Sequence, residues 1–423
     1  MPHAAPASLP EFPGRRRDNP APSLGMAFLG RRCFEGEGVT EVWDSLLTRL
    51  TADPGDAGAM LDLSTLLQMR GERDRGLELQ AAALASCRCY RTSHGSEHGS
   101  GRGLRVLAFA IAGDLMTNTP IDFLLEGSDV ELTTCYVDGA LPSAAELPDH
   151  DVAFLAIGLS EHGEAALSRL EGALEGWPRP VINGHPERIA ALTRDGIADR
   201  FAGHPNVACP ATRRVDRDVL RQVAGGGTTL AEIHPELAFP ILARPIGSHA
   251  GAGLEKLDDP AGLATYLAAH PDPDLFITHF FDYSGADGLF RKLRVVLING
   301  RPFISHMAVS ARWMVHYLNA DMGAAAHRAQ EAQVMASFDL GFAARHAAAF
   351  QALSGTLGLD YFGLDCAETA DGRLLVFEVD VAMIVHAMDS AELYPYKKPA
   401  MAKLFSAFAA ALAASSQHRR IAA

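Results

Sequence analysis

The chain has 423 residues, of which 48% are hydrophobic and 21% charged, the composition of a soluble globular protein with two or three domains. Its 37 basic and 51 acidic side chains give a formal net charge of −14. This balance argues against a broad surface for nucleic acid or for an anionic membrane. It leaves room for a local basic pocket that binds a phosphorylated ligand.

The cysteines and the N-terminus indicate a cytoplasmic protein. The six cysteines are scattered and no pair has the spacing of a zinc site, so we interpret them as reduced thiols. The arginines at 15–17 are not followed by an apolar run of signal-peptide length. The longest apolar stretches, near Val106–Ala112 and Val152–Ile157, have the length of strands and are too short to span a bilayer. Residues 1–37 begin with a proline-rich stretch and are predicted to be disordered.

Residues 38–92 have the apolar spacing of three helices, separated by the break at residues 53–56 and by Gly71. This helix–break–helix unit resembles a tetratricopeptide-type repeat, which needs about three copies to bury a core. We therefore expect the unit to dock on the rest of the chain or on a second subunit. Structural packing and docking of a partner or peptide both stay open. The Gly-, Ser- and His-rich residues 93–103 are predicted to form a flexible linker.

Residues 104–190 alternate strand and helix patterns, which predicts a small parallel α/β sheet. The predicted strands are Leu104–Ala110, Val130–Val137, Asp151–Ile157 and Val181–Asn183. Ligands of such sheets bind at the carboxyl ends of the strands, where Gly113-Asp114 and Asn183-Gly184 lie.

The pattern changes over residues 191–280 and 281–415, which we interpret as two lobes of an α+β region with antiparallel sheets. Asn299-Gly300 and Asp371-Gly372 each lie between two strand patterns, a strong signal for a two-residue hairpin turn. The predicted helices are Ala325–Phe338, Phe342–Leu357 and the Ala-rich amphipathic segment Pro399–Ser415, which we expect to pack on the protein.

The strongest local signal is the last hairpin, from Tyr361 to Asp380. A two-residue turn at Asp371-Gly372 places Asp365 opposite Glu378, and Asp380 follows on the same face. Three carboxylates this close repel one another, and a magnesium ion that also binds phosphate oxygens would neutralise them. A solvent-facing strand without a metal is the alternative.

The second signal is a strand that contains Arg244 and is followed by a loop with glycines at 247, 251 and 253. Backbone N–H groups of glycine-rich loops close over phosphates, although neither the Walker pattern nor the dinucleotide pattern is present. A simple turn is the alternative. His249 in this loop is a candidate contact for phosphate or substrate.

The third signal is Arg291-Lys-Leu-Arg294 at the start of a strand. Alternation places Lys292 and Arg294 on the same face. Together with Arg312, they are candidates to offset the charge of a transferring phosphoryl group. Arg312 is also a candidate for binding a substrate carboxylate, and His306 is a further candidate contact. A solvated edge strand is the alternative for this cluster.

In this order the features resemble the ATP-grasp superfamily over residues 104–415. Within it the chain looks most similar to ligases that join amino acids to carboxylates, namely the ribosomal-protein glutamate ligases, glutathione synthetase and the D-alanine ligases. Asn183-Gly-His-Pro186 resembles their Asn-x-Pro strand end, and Cys209-Pro-Ala-Thr212 resembles their Pro-x-Thr step. Residues 276–282 lie where the family has the hinge that brackets adenine.

The resemblance implies ATP and Mg²⁺ as cofactors and assigns the site residues. Arg294 would stabilise an acyl phosphate, with Lys292 and Arg312 as further catalytic candidates. The residues that would bind magnesium are Asp365, Glu378 and Asp380. Those that would contact the nucleotide are Arg244, Gly247, Ser248, His249, Gly251, Gly253, Thr278, His279, Phe280, Phe281 and Asp282.

Three positions depart from the family pattern. Arg244 replaces a phosphate-binding lysine, which keeps the charge with a different geometry. Gly196 stands where the family has a second lysine, and Arg194 or Arg213 are candidate substitutes. Asp380 replaces an asparagine and adds negative charge to the metal site.

The implied function is an ADP-forming ligase that activates a carboxylate as an acyl phosphate and passes it to an amine. The implied partners are a small-molecule or peptide carboxylate and an amine, with a peptide or protein docked on the N-terminal helices. Such folds are commonly dimers, so a homodimer is compatible with the resemblance. The alternatives are a phosphotransferase of the same fold, a non-catalytic nucleotide-binding scaffold whose helical module docks a partner, and an assembly module that uses the N-terminal repeat to recruit a peptide.

Overall fold

Three β-sheets with helices packed on them form the protein. A computed structural model describes residues 20–36, 38–92, 103–137, 141–248, 251–316 and 319–418. One sheet is mainly parallel and the other two are mainly antiparallel, so the mixed α/β and α+β class predicted from the sequence is confirmed.

The N-terminal part consists of four helices between two short strands. These elements are β1 (Ala21–Ser23), α1 (Met26–Glu35), α2 (Val39–Ala52), α3 (Ala57–Met69), α4 (Arg73–Ser86) and β2 (Cys89–Thr92). The sequence explains the breaks, because the Asp56 carboxylate accepts a hydrogen bond from Ala59 N at 3.0 Å and so caps α3. Gly71, with φ +85°, follows the C-terminus of α3. The likeness to a tetratricopeptide repeat stays a prediction.

The first sheet has six strands in the order β1-β2-β4-β3-β5-β6. Its remaining elements, with the associated helices, are β3 (Arg105–Ala110), α5 (Ile121–Leu124), β4 (Glu131–Tyr136), β5 (Val152–Leu155), α6 (Glu161–Leu170), β6 (Val181–Ile182) and α7 (Pro186–Ala190). Strands β4, β3, β5 and β6 run parallel, as predicted. Strand β2 is antiparallel to β4, and β1 is parallel to β2.

Residues 20–36 correct the expectation that residues 1–37 are disordered, because they form β1 and α1. Two buried carboxylates hold this segment. Asp62 accepts hydrogen bonds from Ser23 Oγ at 2.7 Å and Leu24 N at 2.9 Å, and Asp122 accepts one from Ala27 N at 2.6 Å. These partners are distant in the chain, so local composition does not reveal them.

The N-terminal helices are also more closely joined to the first sheet than the sequence suggests. Strand β2 lies in the stretch 38–92 that was expected to be helical throughout, and it pairs with β4. The predicted linker 93–103 lies outside the described residues except for Gly103. The domain boundaries drawn from the sequence stay predictions.

The second sheet is antiparallel, with the order β10-β9-β11-β8. The elements of this part of the chain are α8 (Arg194–Arg200), β7 (Val207–Ala208), β8 (Thr212–Asp216), α9 (Arg217–Ala224), α10 (Leu230–Ile233), β9 (Ile241–Pro245), β10 (Glu255–Leu257), α11 (Pro260–Ala269) and β11 (Asp274–His279). Strand β7 leaves this part and pairs in parallel with a strand of the third sheet.

The third sheet has the order β13-β12-β14-β15-β7. Its elements after β7 are β12 (Phe290–Ile298), β13 (Arg301–Ser310), α12 (Ala325–Ala336), α13 (Phe342–Arg345), α14 (Ala347–Leu357), β14 (Tyr361–Glu368), β15 (Leu374–Asp380) and α15 (Lys397–His418). The predicted two-residue turn between β12 and β13 is confirmed, since Asn299 and Gly300 have φ values of +48° and +74°.

The hairpin of β14 and β15 corrects the predicted turn but keeps the predicted pairing. Thr369 N donates to Arg373 O at 3.0 Å, so three residues close the loop instead of the two at Asp371-Gly372. A bulge between Asp365 and Cys366 then shifts the register by one residue. The two differences cancel, and Asp365 lies opposite Glu378 as predicted.

The first and third sheets are joined by a buried amide at the end of β6. Asn183 Oδ1 accepts hydrogen bonds from the backbone N–H groups of Asp360 at 2.9 Å and Tyr361 at 3.0 Å, and its Nδ2 donates to Tyr361 O at 2.8 Å. Thr119 Oγ1 adds a hydrogen bond to Val381 O at 2.9 Å. These contacts place the carboxyl ends of the parallel strands next to the segment that follows β15.

Helix α15 is long and apolar enough to cross a membrane by length and composition. It nevertheless packs on the protein, because its apolar side chains at Met401, Leu404, Phe408 and Leu412 are buried against the first and third sheets. The prediction of a packed helix is therefore confirmed.

Candidate functional site

A row of polar side chains crosses four strands of the third sheet. His306 on β13 lies opposite Arg294 on β12, Arg294 lies opposite Asp365 on β14, and Asp365 lies opposite Glu378 on β15. Directly opposed residues share a face of a sheet. The predicted catalytic arginine and two predicted metal ligands are therefore neighbours on one surface.

Asp365 is neutralised by two cations of this chain. Its Oδ1 and Oδ2 accept hydrogen bonds from Arg294 Nε at 2.8 Å and Nη2 at 3.2 Å, and Lys292 Nζ lies 2.9 Å from Oδ2. Burial by itself would raise the pKa of this carboxyl, but the two cations outweigh burial and hold the pKa well below its usual range. The neutralising charge that the sequence interpretation gave to magnesium is thus supplied by Lys292 and Arg294.

Arg294 is also fixed from a second direction, because its Nη1 donates to Ile384 O at 3.0 Å. A guanidinium held by a carboxylate and a backbone carbonyl loses little freedom when a ligand binds. The geometry gives a preorganised positive charge on the surface of the third sheet.

Glu378 and Asp380 lie next to the Arg294–Asp365 ion pair, and their negative charges are less fully neutralised than that of Asp365. Glu378 forms an ion pair with Arg194 at the start of α8. Asp380 accepts a hydrogen bond from Ala382 N at 2.9 Å, yet burial and the neighbouring Glu378 raise its pKa to about 7. A cation bound between these two carboxylates would relieve their repulsion. Within the described residues, no three His, Cys, Asp or Glu side chains lie close enough to hold a metal ion by themselves.

Arg244 brings a further cation from the second sheet. It is buried on β9, and its guanidinium donates to the Ser248 hydroxyl at 3.0 Å and to the Ser248 carbonyl. Burial and the nearby charge of Arg194 lower its pKa to about 10, while Glu378 acts in the opposite direction. Arg194 and Arg244 are therefore close enough to repel each other.

The glycine loop, residues 246–253, follows β9. Gly247, Gly251 and Gly253 have positive φ values of 74°, 78° and 65°, which favour glycine. A Cβ at Gly251 would lie 3.5 Å from Met314 Sδ, so the loop faces the segment after β13. His249 lies outside the described residues.

The predicted hinge residues connect the second sheet to the third. Thr278 Oγ1 lies 3.1 Å from Thr212 Oγ1, His279 Nδ1 lies 3.3 Å from Ala238 O, and Asp282 accepts a hydrogen bond from Ser284 N at 2.9 Å. These contacts are within the second sheet and the turn that follows it, and not with the charged residues of the third sheet.

Phe280 and Phe281 occupy different surroundings in this hinge. Lys256 Nζ lies 4.5 Å from the centroid of the Phe280 ring, and the Trp313 ring packs edge-on against the same ring at 5.8 Å. Phe281 packs on the small apolar cluster around Tyr283. Phe280 and Trp313 thus form an aromatic contact between the second sheet and the segment after β13.

Arg312 is not brought into the row of charged residues. It is exposed after the end of β13, and its positive charge acts on Asp321, whose pKa is lowered chiefly by hydrogen bonds from Ala311 and Ser310.

Two residues of the site have no pattern in the sequence that would reveal them. Arg194 was only a candidate substitute for a missing lysine, and the structure places it against Glu378, whereas Arg213 pairs with Asp199 at 2.8 Å on the second sheet. His316 was not predicted. Burial and the charges of Lys292 and Arg294 lower its pKa, so its ring lies within range of the charges of this cluster. A single histidine in a loop offers no spacing from which this role could be predicted.

Seven residues are linked by ion pairs or by the effect of their charges on one another's pKa. They form the charged cluster: Arg194, Arg244, Lys292, Arg294, Asp365, Glu378 and Asp380. Its four cations exceed its three carboxylates, one of which has a pKa close to neutral. A binding site with this charge favours a polyanion, above all one accompanied by a divalent cation.

No protein-family model and no curated protein matches the chain. Among solved structures, it is similar to a RimK-domain ATP-grasp protein of Sphaerobacter thermophilus, with 14% identity, 73% of this chain and 99% of that chain covered, and a TM-score of 0.42. It is also similar to the D-alanine–D-alanine ligase of Bacillus anthracis complexed with ATP (14% identity, 75% and 99% covered, TM-score 0.46) and to the VanG D-Ala:D-Ser ligase of Enterococcus faecalis (12%, 74% and 100%, 0.45).

Proposed function

We propose that this chain is an ATP-dependent, ADP-forming ligase that joins a carboxylate to an amine. The observation that carries the proposal is the excess of fixed positive charge where the second and third sheets face each other. Arg194 and Arg244 come from different elements and repel each other, an arrangement that an anion between them would stabilise. A nucleotide triphosphate has the charge and length to bridge the cations of both sheets.

Glu378 and Asp380 fit the role of magnesium ligands, together with phosphate oxygens of the nucleotide. Magnesium is commonly held by one or two carboxylates plus substrate phosphates. Burial and the charge of Glu378 raise the pKa of Asp380, and a bound cation would act against both effects. When bound, the ion would offset negative charge on the phosphates. Asp365 is the weakest of the three predicted ligands, because Arg294 and Lys292 already occupy both of its oxygens.

The residues of the chain would act by position and charge. Phosphoryl transfer needs little covalent participation by the protein. Arg294, fixed by Asp365 and Ile384 O, would face the transferring phosphoryl group and then the acyl phosphate. Lys292 would add a second cation from the same strand face. Arg312, exposed after β13, is assigned to the substrate carboxylate.

The glycine loop and the hinge would hold the nucleotide. Backbone N–H groups of Gly247, Ser248, His249, Gly251 and Gly253 are proposed to close over the phosphates and exclude water from the acyl phosphate. Arg244 ties the loop to β9 through Ser248, so that phosphate binding and loop closure are linked. The adenine and ribose are assigned to the hinge residues Thr278, His279, Phe280, Phe281 and Asp282.

The acid and the amine are proposed as small molecules or peptides. The structure joins the N-terminal helices to the first sheet, whose strand ends contact the segment after β15 through Thr119 and Val381. A peptide held by the helical segment would therefore lie on the same body as the reaction centre. Docking of a peptide or protein on the N-terminal helices is part of the proposal, and structural packing of these helices is the alternative.

The test is an assay of ADP and phosphate release with pooled amino acids and short peptides, with and without magnesium. The ligase predicts that ADP and free phosphate are released together, and only when an acid, an amine and magnesium are all present. Release of ADP without free phosphate would replace the ligase with a phosphotransferase. Nucleotide binding without any release would replace it with a non-catalytic scaffold.

A further inference from the structure

Two cysteines face each other across strands β2 and β4, where the N-terminal part joins the first sheet. Cys89 is the first residue of β2 and lies directly opposite Cys135 on β4. Directly opposed residues share a face of a sheet, so both thiols lie on the same side. All six cysteines of the chain are free thiols in the structure. The ligase chemistry proposed above involves neither Cys89 nor Cys135, so the site described here is independent of it.

The type of strand pairing sets the distance between the two residues. Tyr136 N donates to Arg88 O at 2.8 Å, so Arg88 and Tyr136 form a hydrogen-bonded pair. Hydrogen-bonded and non-hydrogen-bonded pairs alternate along antiparallel strands, and the adjacent pair of Cys89 and Cys135 is therefore of the second type. The Cα atoms of such a pair are about 4.5 Å apart, and disulfides span Cα distances of about 4.4–6.8 Å. A bridge at this position therefore needs little movement of the backbone.

The two thiols already interact and differ in reactivity. Cys135 is buried, and its thiol is hydrogen-bonded to that of Cys89, which is only partly buried. This hydrogen bond and the charge of Arg88 lower the pKa of the Cys89 thiol, against the effect of burial. Burial instead raises the pKa values of the Cys209 and Cys366 thiols. Because the thiolate is the reacting form, Cys89 is the nucleophile of the pair, with Cys135 beside it to complete a bridge.

We propose that Cys89 and Cys135 are a modification site, at which a low-molecular-weight disulfide oxidises the two thiols to a reversible cross-strand bridge. The Cys89 thiolate attacks one sulfur of the reagent, whose S–S bond breaks and whose other sulfur leaves with the electron pair and takes up a proton. The Cys135 thiol then loses its proton and attacks the Cys89 sulfur of this mixed disulfide, which releases the second half of the reagent as a thiol. Two protein thiols are oxidised by two electrons in total, and one reagent disulfide is reduced to two thiols that carry the two protons.

The bridge would fasten the N-terminal part to the first sheet. Strand β2 follows helix α4 and pairs with β4 on one side, and its other neighbour is the short strand β1. The bridge closes a long loop of the chain that contains β3, and a disulfide across a long loop restricts the unfolded chain strongly. Oxidation should therefore raise the Tm of the full chain by several degrees, and reduction should restore the original Tm.

The experiment equilibrates the full chain with mixtures of reduced and oxidised glutathione, quenches exchange with acid, blocks the remaining thiols and maps the bridges in tryptic peptides. Cleavage after Arg88 separates Cys87 from Cys89, so the two cysteines are distinguished. We expect the peptide that begins at Cys89 to be linked to the peptide that contains Cys135, and excess reduced glutathione to release it. A glutathione adduct on Cys89 without a bridge, or no oxidation of Cys89, would overturn the proposal.

The unfolded chain in concentrated urea is the control for chance pairing. Cys87 and Cys89 are two residues apart, so the unfolded chain should link either one to Cys135 about equally. The folded chain should strongly favour Cys89, because the strand pairing places that residue opposite Cys135. Equal yields of the two bridges in the folded chain would show that the sheet does not direct the reaction, and would overturn the assignment.

Variants connect the bridge to the change in Tm. Cys89→Ala and Cys135→Ala should each abolish both the bridge and the rise in Tm on oxidation. Cys87→Ala is the matched control and should keep both, because the Cys87 thiol contacts the Cys89 carbonyl oxygen at 3.2 Å and takes no part in the bridge. Cys89→Ala changes only a partly buried side chain, so the test does not depend on whether Cys135→Ala folds. A rise in Tm that persists in Cys89→Ala would assign the effect to other thiols and contradict the proposal.

Discussion

Asp365 in the third sheet and Asp62 in helix α3 are both buried, with 3% and 1% of their surface exposed. Their carboxyl groups are nevertheless stabilised in different ways. Arg294 and Lys292 pair with Asp365 and lower its pKa, although burial opposes them. Asp62 has hydrogen bonds from Ser23, Leu24 and Gly25 and the charge of Arg49 nearby, but burial outweighs them and raises its pKa to about 6.

The two buried carboxylates therefore stabilise different features of the protein. The ion pair on the third sheet holds Arg294 and Lys292 in place beside the proposed nucleotide site, so the Asp365 carboxylate would act through these two cations. The hydrogen-bonded carboxylate in α3 holds the N-terminal strand and lines a cavity. Burial of a carboxylate does not by itself indicate a functional site. The groups that contact the carboxylate, cations or hydrogen-bond donors, must be known as well.

The largest expected effect comes from breaking the Asp365 pair. Arg294→Met should lower the free energy of unfolding by about 3 kcal/mol, because it leaves a buried carboxylate with one cation instead of two. ADP release should fall by a factor of about 10²–10³, since a preorganised cation is lost. Urea unfolding and the coupled assay measure the two effects.

A double variant separates stability from activity at this pair. Arg294→Met with Asp365→Leu should recover much of the stability but none of the turnover. Arg214→Met is the matched control, because Arg214 forms a similar but exposed pair with Asp274, and it should change stability by less than about 1 kcal/mol. Recovery of turnover in the double variant would show that Arg294 is only structural.

The pH dependence of stability should have opposite signs in the two regions. The folded pKa of Asp62 lies above its unfolded value, so its stabilising contribution is present below about pH 4 and is lost as the pH rises to about 6. The loss corresponds to at most about 3 kcal/mol. Asp365 has a depressed folded pKa, so its contribution is present above about pH 4 and is lost in acid.

Asp62→Asn tests this sign. Relative to the variant, the original chain should become less stable between pH 4 and pH 7, as measured by urea unfolding at each pH. A flat difference across this range would mean that Asp62 is not desolvated in the folded protein. A difference of opposite sign would indicate an unrecognised cation beside the Asp62 carboxylate.

The next effect concerns Arg194 and Arg213, the two candidate substitutes for the lysine that is absent at Gly196. Arg194→Met should weaken binding of a non-hydrolysable ATP analogue by about 10- to 100-fold, because it removes a charge facing Glu378 and Arg244. Arg213→Met should have little effect, since that arginine pairs with Asp199. Equal losses in the two variants would remove Arg194 from the proposed site. Calorimetry in the presence of magnesium measures both.

The smallest expected effect is in the glycine loop. Gly251→Ala introduces a Cβ at φ +78°, which costs about 1 kcal/mol, and the altered loop should raise KM for ATP severalfold. Gly288→Ala has a similar φ of +73° in an open turn and is the control for backbone strain alone. If both variants change KM equally, the loop does not contact the nucleotide.

The hairpin of β14 and β15 shows how far pattern reasoning reaches. Strand positions and the pairing of Asp365 with Glu378 followed from alternation and a turn signal. The three-residue loop and the bulge could not be predicted in this way, because the alternation of side chains along a strand does not reveal a one-residue bulge. The correct pairing resulted from two deviations that cancel.

The N-terminus shows the opposite case. Proline content alone suggested disorder for residues 1–37, whereas residues 20–36 form a strand and a helix. The backbone N–H groups of Leu24 and Ala27 donate to Asp62 and Asp122, which lie far along the chain. Local composition cannot register a partner that only tertiary folding supplies.

The sequence by itself determined the parallel strands of the first sheet, the hairpins of the third sheet, helix α15 and the acidic and basic strands that meet at the proposed site, because these depend on periodicities of two and 3.6 residues and on turn chemistry. Only the tertiary structure decided which cation meets which carboxylate: Arg294 and Lys292 with Asp365, and Arg194 with Glu378. The physical reason is that charge interactions act over a few ångströms in space, and distances between remote segments are fixed only when the cores have packed.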